Sequence, residues 1–470
     1  LLARCGYSAD LSQGVVDRAM FHSENAYFMP VVNIASRRLK TNTVSNTAFR
    51  GFGGPQGILA IERIIDAIAS ATGRDPLDIR KENLYRPEGA VTPYGMPVED
   101  FDIGQALIEQ LETDSNYRER RKAIDVFNQD SPLIRRGLAL TPLKFGISFT
   151  LTQLNQAGAL VHVYSDGSVH LNHGGTEMGQ GLFQKVAQIV ADEFGVSINR
   201  VRITATTTGK VPNSSPTAAS SGSDLNGMAA LIAARAIKKR MAEFLASSRN
   251  VSLEAIHFVD DHVLVGDERL TFGEAAKTAH QARIHLSEAG YYKTPKVEWD
   301  RAQARGRPFY YFAYGAACSE VAIDTLTGEM KLERVDILHD VGRSLNPALD
   351  IGQIEGAFVQ GMGWLTSEEL VYDQKGRLRT HAPSTYKIPV ASDIPAHFNT
   401  RLFDGANRED TVFRSKAVGE PPLMLGISVF SAILNAISSL KPGAQVPLDA
   451  PATPERILKA VQALGGGGGF

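Results

Sequence analysis

Cysteine is nearly absent: Cys5 and Cys318 are the only two in 470 residues. A disulfide framework is not expected, a reducing cytoplasmic setting is the default, and two thiols cannot hold an iron–sulfur cluster unaided. Histidine is sparse too, at 11 residues with no HExxH pair. His170 and His173 are close in sequence, but two histidines at a strand end are more often structural than metal-ligating. An excess of one charge sign is also missing, with 49 basic against 51 acidic residues and a net charge of -2. No polybasic run exists, so no field for nucleic acid is expected. No apolar run reaches the ~20 residues of a membrane span. Both nucleotide-binding glycine patterns are lacking. No Gly-Lys-Ser/Thr follows a glycine loop, and a GxGxxG begun at Gly51 or Gly179 meets Gln56 or Gln184 where the third glycine belongs. No secretory signal is visible at the start, and the first residues read like the middle of an element. The chain is therefore expected to be part of a longer polypeptide.

What is present describes a globular protein: 43% hydrophobic and 21% charged residues, and a length suited to about two to four domains. Residues 10–26 have a helical apolar face that carries Arg18. An amphipathic helix follows Pro55, Gly73 reads as its terminating glycine, and Asp75-Pro76 starts the next helix. A polar helical region over 103–130 carries the charge run 118–122 and reads as a junction. A strand-rich block begins at Gly137, with hairpin turns at 165–167 and 325–328. Residues 251–290 read as a small strand-hairpin-helix insertion, and 465–469 as a flexible glycine tail. No fixed-period repeat is found. The reading is α+β, with mixed sheets and helices.

Three loops rich in glycine or small residues each feed a helix: 49–56, 174–181 and 212–222. Backbone N–H groups at helix N-termini form ready anion sites. A fourth helix start follows Glu420, in Lys416-Ala417-Val418-Gly419-Glu420-Pro421-Pro422-Leu423, and runs as one apolar helix to Leu440. A carboxylate there either stabilises the helix start or serves as a general base in a dry pocket. Four such places point to one large phosphate-bearing cofactor held by backbone amides.

Three segments carry a resemblance. They are Asn46-Thr47-Ala48-Phe49-Arg50-Gly51-Phe52-Gly53-Gly54-Pro55-Gln56, Gly174-Gly175-Thr176-Glu177-Met178-Gly179-Gln180-Gly181, and Lys416 to Pro422. They resemble the xanthine dehydrogenase and xanthine oxidase group of molybdenum hydroxylases, and the likeness runs over residues 10–460. It implies elongated molybdopterin-binding domains: 1–115 as the end of a first one, 116–136 as a junction, 137–462 as a second, and 463–470 as a tail. Glu420 matches the family's catalytic base. Arg18 matches the purine-binding arginine, Phe52 and Phe149 the rings that sandwich the heterocycle, and Thr150 and Ala218 further substrate contacts. Arg50 and Ala219 match positions beside the molybdenum, while Gln180, Ser220 and Gln360 match cofactor contacts.

The resemblance also implies a molybdopterin cofactor with a terminal sulfido group. The metal is then held by the pterin dithiolene, so no Cys/His set is needed. The implied reaction is oxidation of hypoxanthine and xanthine to urate with water-derived oxygen. Electrons would pass to 2Fe-2S clusters and FAD in a partner chain or domain, then to NAD, in a dimer of heterodimers. The family's second substrate carboxylate and its upstream glycine-rich metal loop have no counterpart in these residues. Aldehyde oxidase is the main rival within the family, and Arg18 discriminates against it. Carbon monoxide dehydrogenase carries a cysteine where this chain has Gly51. A non-catalytic molybdopterin-binding subunit is the rival from another class.

Overall fold

The computed structural model describes residues 1–204, 206–210 and 214–465. Pro212 of the third small-residue loop and the end of the glycine tail lie outside the described residues. The architecture is α+β, with mixed sheets and helices.

The strand Ile134–Ile147 shows why one sheet separates two cores. Its side chains alternate between faces. Leu138 and Leu140 enter one apolar core, and Ala139, Leu143, Phe145 and Ile147 the other. Its antiparallel neighbour Tyr311–Asp324 does the same: Phe312, Tyr314 and Cys318 go one way, and Ala313, Ala317 and Val321 the other. The hairpin partner Met330–Asp340 and the parallel strand His397–Phe403 complete a four-stranded sheet. One face is covered by the helices Gly54–Thr72, Pro76–Asn83, Phe101–Asp114 and Tyr117–Asp130, the other by Pro347–Leu365 and Ile427–Ser438. Residues 1–115 thus share a core with the sheet. The stretch read as a junction, 116–136, holds a helix packed on that sheet, with Tyr117 and Ile124 buried.

A second four-stranded sheet has the order Ser287–Lys293, Gln156–Val163, Val169–His173, Val201–Ile203. It encloses its own apolar core with the helices Leu182–Phe194 and Gly222–Arg249. Both sheets share one construction. An antiparallel hairpin leads to a helix, then to a strand parallel to the hairpin's second strand, then to a long buried helix. The duplication is one of topology. The insertion at 251–290 is a three-stranded sheet followed by helix Phe272–Gln281, which Thr271 and Glu274 start with a capping box.

The apolar run after Glu420 is not one α-helix. A 3₁₀ turn, Pro421–Gly426, precedes the α-helix Ile427–Ser438. Two prolines supply no N–H, and a Cβ on Gly361 would stand 1.9 Å from the Leu423 carbonyl oxygen. The turn is therefore pressed against helix Pro347–Leu365. The run Pro421–Ser438 is apolar enough by composition to cross a membrane, but 89% of it is buried inside the protein. It is a core element.

The strand Ile134–Ile147 lies at the sheet edge. Most of its outward backbone groups are met by side chains instead of a strand. Asn128 bonds both groups of Arg136, and Arg121 with Asn435 those of Leu138. Asn25 donates to the Pro142 carbonyl and accepts from the Lys144 N–H. His22 accepts from the Gly146 N–H, and Arg18 donates to the Gly146 and Ser148 carbonyls. A buried backbone group left unpaired costs about 1–3 kcal/mol. Replacing Asn25, fully buried, with Leu should therefore destabilise the protein by about 2–5 kcal/mol in urea unfolding. A change below about 1 kcal/mol would show that the edge needs no side-chain ladder.

Candidate active site

Helix Ser12–Phe21 is docked on the sheet edge through Arg18 and, just past its end, His22. The first turn of helix Gly54–Thr72 crosses it in direct backbone contact. A Cβ on Gly57 would stand 2.2 Å from the Ala19 carbonyl oxygen, and one on Gly53 1.9 Å from that of Val15. Gly53 also has φ +99°, which favours glycine. The glycines of 49–56 thus serve helix packing and a tight turn more than an anion cradle. The turn leaves Phe52 at φ +50° beside Gly14.

Across from this lies a cavity of about 1020 Å³. Arg18, Arg50, Phe52, Phe149, Thr150, Gln180, Ala218, Ala219, Ser220 and Glu420 all line it. Gln360 does not line it. Its Oε1 accepts from Arg50 Nη1 at 3.0 Å, so it supports the arginine from behind. Gln353 lines the cavity and accepts more weakly from Arg50 at 3.5 Å. Sequence reading missed Gln353, although it lies seven residues before Gln360 on helix Pro347–Leu365, two turns along the same face.

Glu420 is half-buried. Its side chain makes no capping hydrogen bond to the turn that follows. Instead it accepts from the Gly51 N–H at 3.2 Å and the Ser220 hydroxyl at 3.1 Å. Ser220 Oγ in turn accepts from the Glu420 N–H at 2.7 Å. Among the described residues no cation forms an ion pair with Glu420. Arg50 donates to the Gly419 carbonyl beside it, which fixes the backbone and leaves the carboxylate alone. Burial lowers the Arg18 and Arg50 pKa values, and the charge of Glu420 acts through space to raise both. Arg18 is fully buried, stacked 4.6 Å from the Phe145 ring centre and 5.2 Å from that of Phe309. Two of its nitrogens hold the Gly146 and Ser148 carbonyls, and Nε has no partner among the described residues.

The backbone of Phe149 is clamped by the Asn155 amide, which bonds both its N–H and its carbonyl. Ala219 and Ser220 adopt consecutive left-handed conformations, φ +56° and +57°. The loop 174–181 differs from the expected anion cradle. Glu177 itself accepts from the Gly179, Gly181 and Phe183 N–H groups. Burial pushes its pKa up, but these donors outweigh that and hold it below the usual carboxylate range. Gln180 is half-buried and bonds back to the Thr176 carbonyl.

The cavity wall fits a large organic cofactor better than a bare ion. Among the described residues no group of three or more His, Cys, Asp or Glu could hold a metal. Its polar lining includes Arg50, Gln180 and Ser220, beside Ala218 and Ala219. Profiles described as molybdopterin cofactor-binding domain match residues 110–395 and 1–84. The chain belongs to the molybdopterin cofactor-binding domain family. It is 48% identical over 459 residues to a xanthine dehydrogenase/oxidase of Gallus gallus, covering 97% of this chain and 32% of that protein. It is 46% identical over 464 residues to a xanthine dehydrogenase of Dictyostelium discoideum, covering 97% and 33%. It thus spans about a third of the length of these curated relatives. Its fold is that of a Cu,Mo-CO dehydrogenase, with TM-score 0.85 at 23% identity over 99% of this chain and 59% of the other. Quinoline 2-oxidoreductase from Pseudomonas putida 86 gives 0.84 at 23%, over 98% and 59%.

This molybdopterin-binding fold buries His173 beside the 174–181 loop. Its Nδ1 accepts from the Gly175 N–H and its Nε2 has no partner among the described residues. Burial depresses its pKa to about 4, against the opposing pull of Glu177. The unfolded chain titrates near 6.5, so it binds more protons than the folded chain between these values. Stability should therefore be full above about 6.5 and fall as pH drops toward 4. His173→Gln should flatten that fall in a melting series. An unchanged slope would remove His173 from the acid response.

Proposed function

We propose that this chain is the part of a xanthine dehydrogenase that binds the molybdenum cofactor and carries out the oxidation of hypoxanthine and xanthine to urate. One observation carries the reading: a carboxylate held by two neutral donors, and by no cation among the described residues, lies in a cavity that also presents Arg18, Phe52 and Phe149. Identity of 44–48% to xanthine dehydrogenase and oxidase relatives supports it.

Arg50, Gln180, Ala219 and Ser220 would hold the cofactor, and Gln360 would brace Arg50. When bound, the cofactor supplies the two-electron oxidant for an electron-poor ring carbon. Glu420 takes a proton on its carboxylate as oxygen is delivered to that carbon. Ser220 and the Gly51 N–H aim the carboxylate without neutralising it. The rings of Phe52 and Phe149 confine a flat heterocycle. The cationic Arg18 stabilises negative charge that builds on a purine oxygen, an interaction that strengthens in the transition state.

The remaining partners are part of the same reading. Electrons leave through 2Fe-2S clusters and FAD toward NAD, in a cytoplasmic assembly that contains the rest of the polypeptide as a dimer of heterodimers. The short parallel pair Leu2–Gly6 and Arg37–Lys40 supports a covering segment. Around it Leu2, Tyr7, Leu11, Val31, Leu39 and Val44 are exposed.

Two substitutions in the complete enzyme test the roles. Glu420→Gln should lower turnover by at least about 10²–10⁴-fold at unchanged molybdenum content, and turnover within tenfold of wild type would falsify the base assignment. Arg18→Met should cripple xanthine oxidation while sparing simple aldehydes. Equal loss on both substrate classes would make the arginine a brace of the sheet edge alone.

A further inference from the structure

A buried chain of hydrogen bonds reaches the Glu420 stretch from behind. Tyr311, the first residue of strand Tyr311–Asp324, is buried. Its hydroxyl donates to Asp224 Oδ2 at 2.7 Å and accepts from the Ala417 N–H at 2.8 Å. Asp224 belongs to the first turn of helix Gly222–Arg249, immediately after the 218–220 loop. Ala417 lies three residues before Glu420. The chain therefore joins, through the sheet, the same two segments that Ser220 joins directly. On its other side Lys416 anchors the stretch to Asp340 at 2.6 Å.

We infer that Asp224, acting through Tyr311, is a positioning residue for Glu420, and that the direction of the Asp224–Tyr311 hydrogen bond decides whether Ala417 is tethered. This rests on Glu420 being the base. A phenol has one proton to give. While Asp224 is ionised, that proton goes to the carboxylate and the phenol oxygen faces the Ala417 N–H. Once Asp224 is protonated, its own O–H competes for the phenol oxygen. The tether at Ala417 weakens, and the carboxylate three residues on loses its fixed aim. A misplacement of about 1 Å in a catalytic group can cost ~10²-fold.

The groups facing Asp224 come from three elements. Tyr311 bonds it, and Tyr310 and Tyr292 face it from just before strand Tyr311–Asp324 and from strand Ser287–Lys293. Lys185, from helix Leu182–Phe194, pairs with Asp350. Burial outweighs the Tyr311 bond and the Lys185 charge and raises the Asp224 pKa to about 7. The bond direction is therefore sensitive to pH near 7.

The test uses the complete, molybdenum-loaded protein and whichever substrate it turns over. Tyr311→Phe should lower kcat about 10- to 100-fold at every pH, with KM within about threefold. Asp224→Asn keeps an oxygen for the Tyr311 hydroxyl but cannot titrate. It should hold kcat within about threefold above pH 8 and lack the acid limb expected of wild type near pH 7. Infrared difference spectra of wild type should show a protonated-carboxyl band growing as pH falls through 7, absent in Asp224→Asn. That readout needs no turnover, so it separates failure of this inference from failure of the proposed reaction. The inference is overturned if Asp224→Asn keeps the wild-type acid limb, if the band is absent from wild type, or if Tyr311→Phe leaves kcat within about threefold. Loss of kcat in proportion to lost molybdenum would also overturn it, since the chain would then serve assembly alone.

Discussion

A long strand with a neighbour on only one side must find partners for its outward N–H and carbonyl groups. In this protein that requirement falls on Ile134–Ile147. Side chains answer it, from Arg18, His22, Asn25, Arg121, Asn128 and Asn435. An edge filled in this way cannot pair with another strand, which removes a route to aggregation. It also pins three separate parts of the chain to one line. The helix with Arg18 lies at one end, the helix that follows Glu420 lies at the other, and Phe149 and Thr150 continue directly from the strand itself.

The cavity forms where these parts meet the loops and helix starts of the second unit, at Gln180, Leu182, Ser220 and Gly222. Each of the two similarly built units ends in a long buried helix. Ser220 stands just before one of these helices, and Glu420 just before the turn that leads into the other. Their mutual hydrogen bonds tie the corresponding corners of the two units together. The carboxylate is thus held by backbone and hydroxyl donors, while the positive charges of Arg18 and Arg50 act on it from a distance. Such a carboxylate can accept a proton, whereas one locked in a salt bridge pays the cost of breaking it first.

Much of this was legible in the residues. The motif around Glu420, the turn around Phe52 and the small-residue loop at Ala219 each marked a place, and ten of the eleven candidate residues line one cavity. What they do there was less legible. Glycine answers equally to a positive φ, a close approach or an anion cradle, so the contact of Gly57 with Ala19 could not be told from the others. Nothing in the order of residues shows that Glu177 folds back to occupy its own loop's donors. Arg18 carries structural bonds as well as its candidate role because the edge lies 128 residues away in sequence. The duplicated construction is invisible for a similar reason. Loops and an inserted small sheet differ between the units, so shared topology leaves no fixed period. The split of the final apolar run into a 3₁₀ turn and a helix depended on its contact with Gly361.

The central claim is that the cavity between the two units is the cofactor site and that Glu420 faces it on neutral donors, with no ion pair among the described residues. The most direct measurement is a crystal structure of the complete polypeptide loaded with its molybdenum cofactor. The account predicts molybdenum density inside the cavity, bounded by Arg50, Ala219 and Glu420, with Ser220 and the Gly51 N–H still bonded to the carboxylate. Density for the metal outside this cavity, or a Glu420 carboxylate turned away into an ion pair, would contradict it.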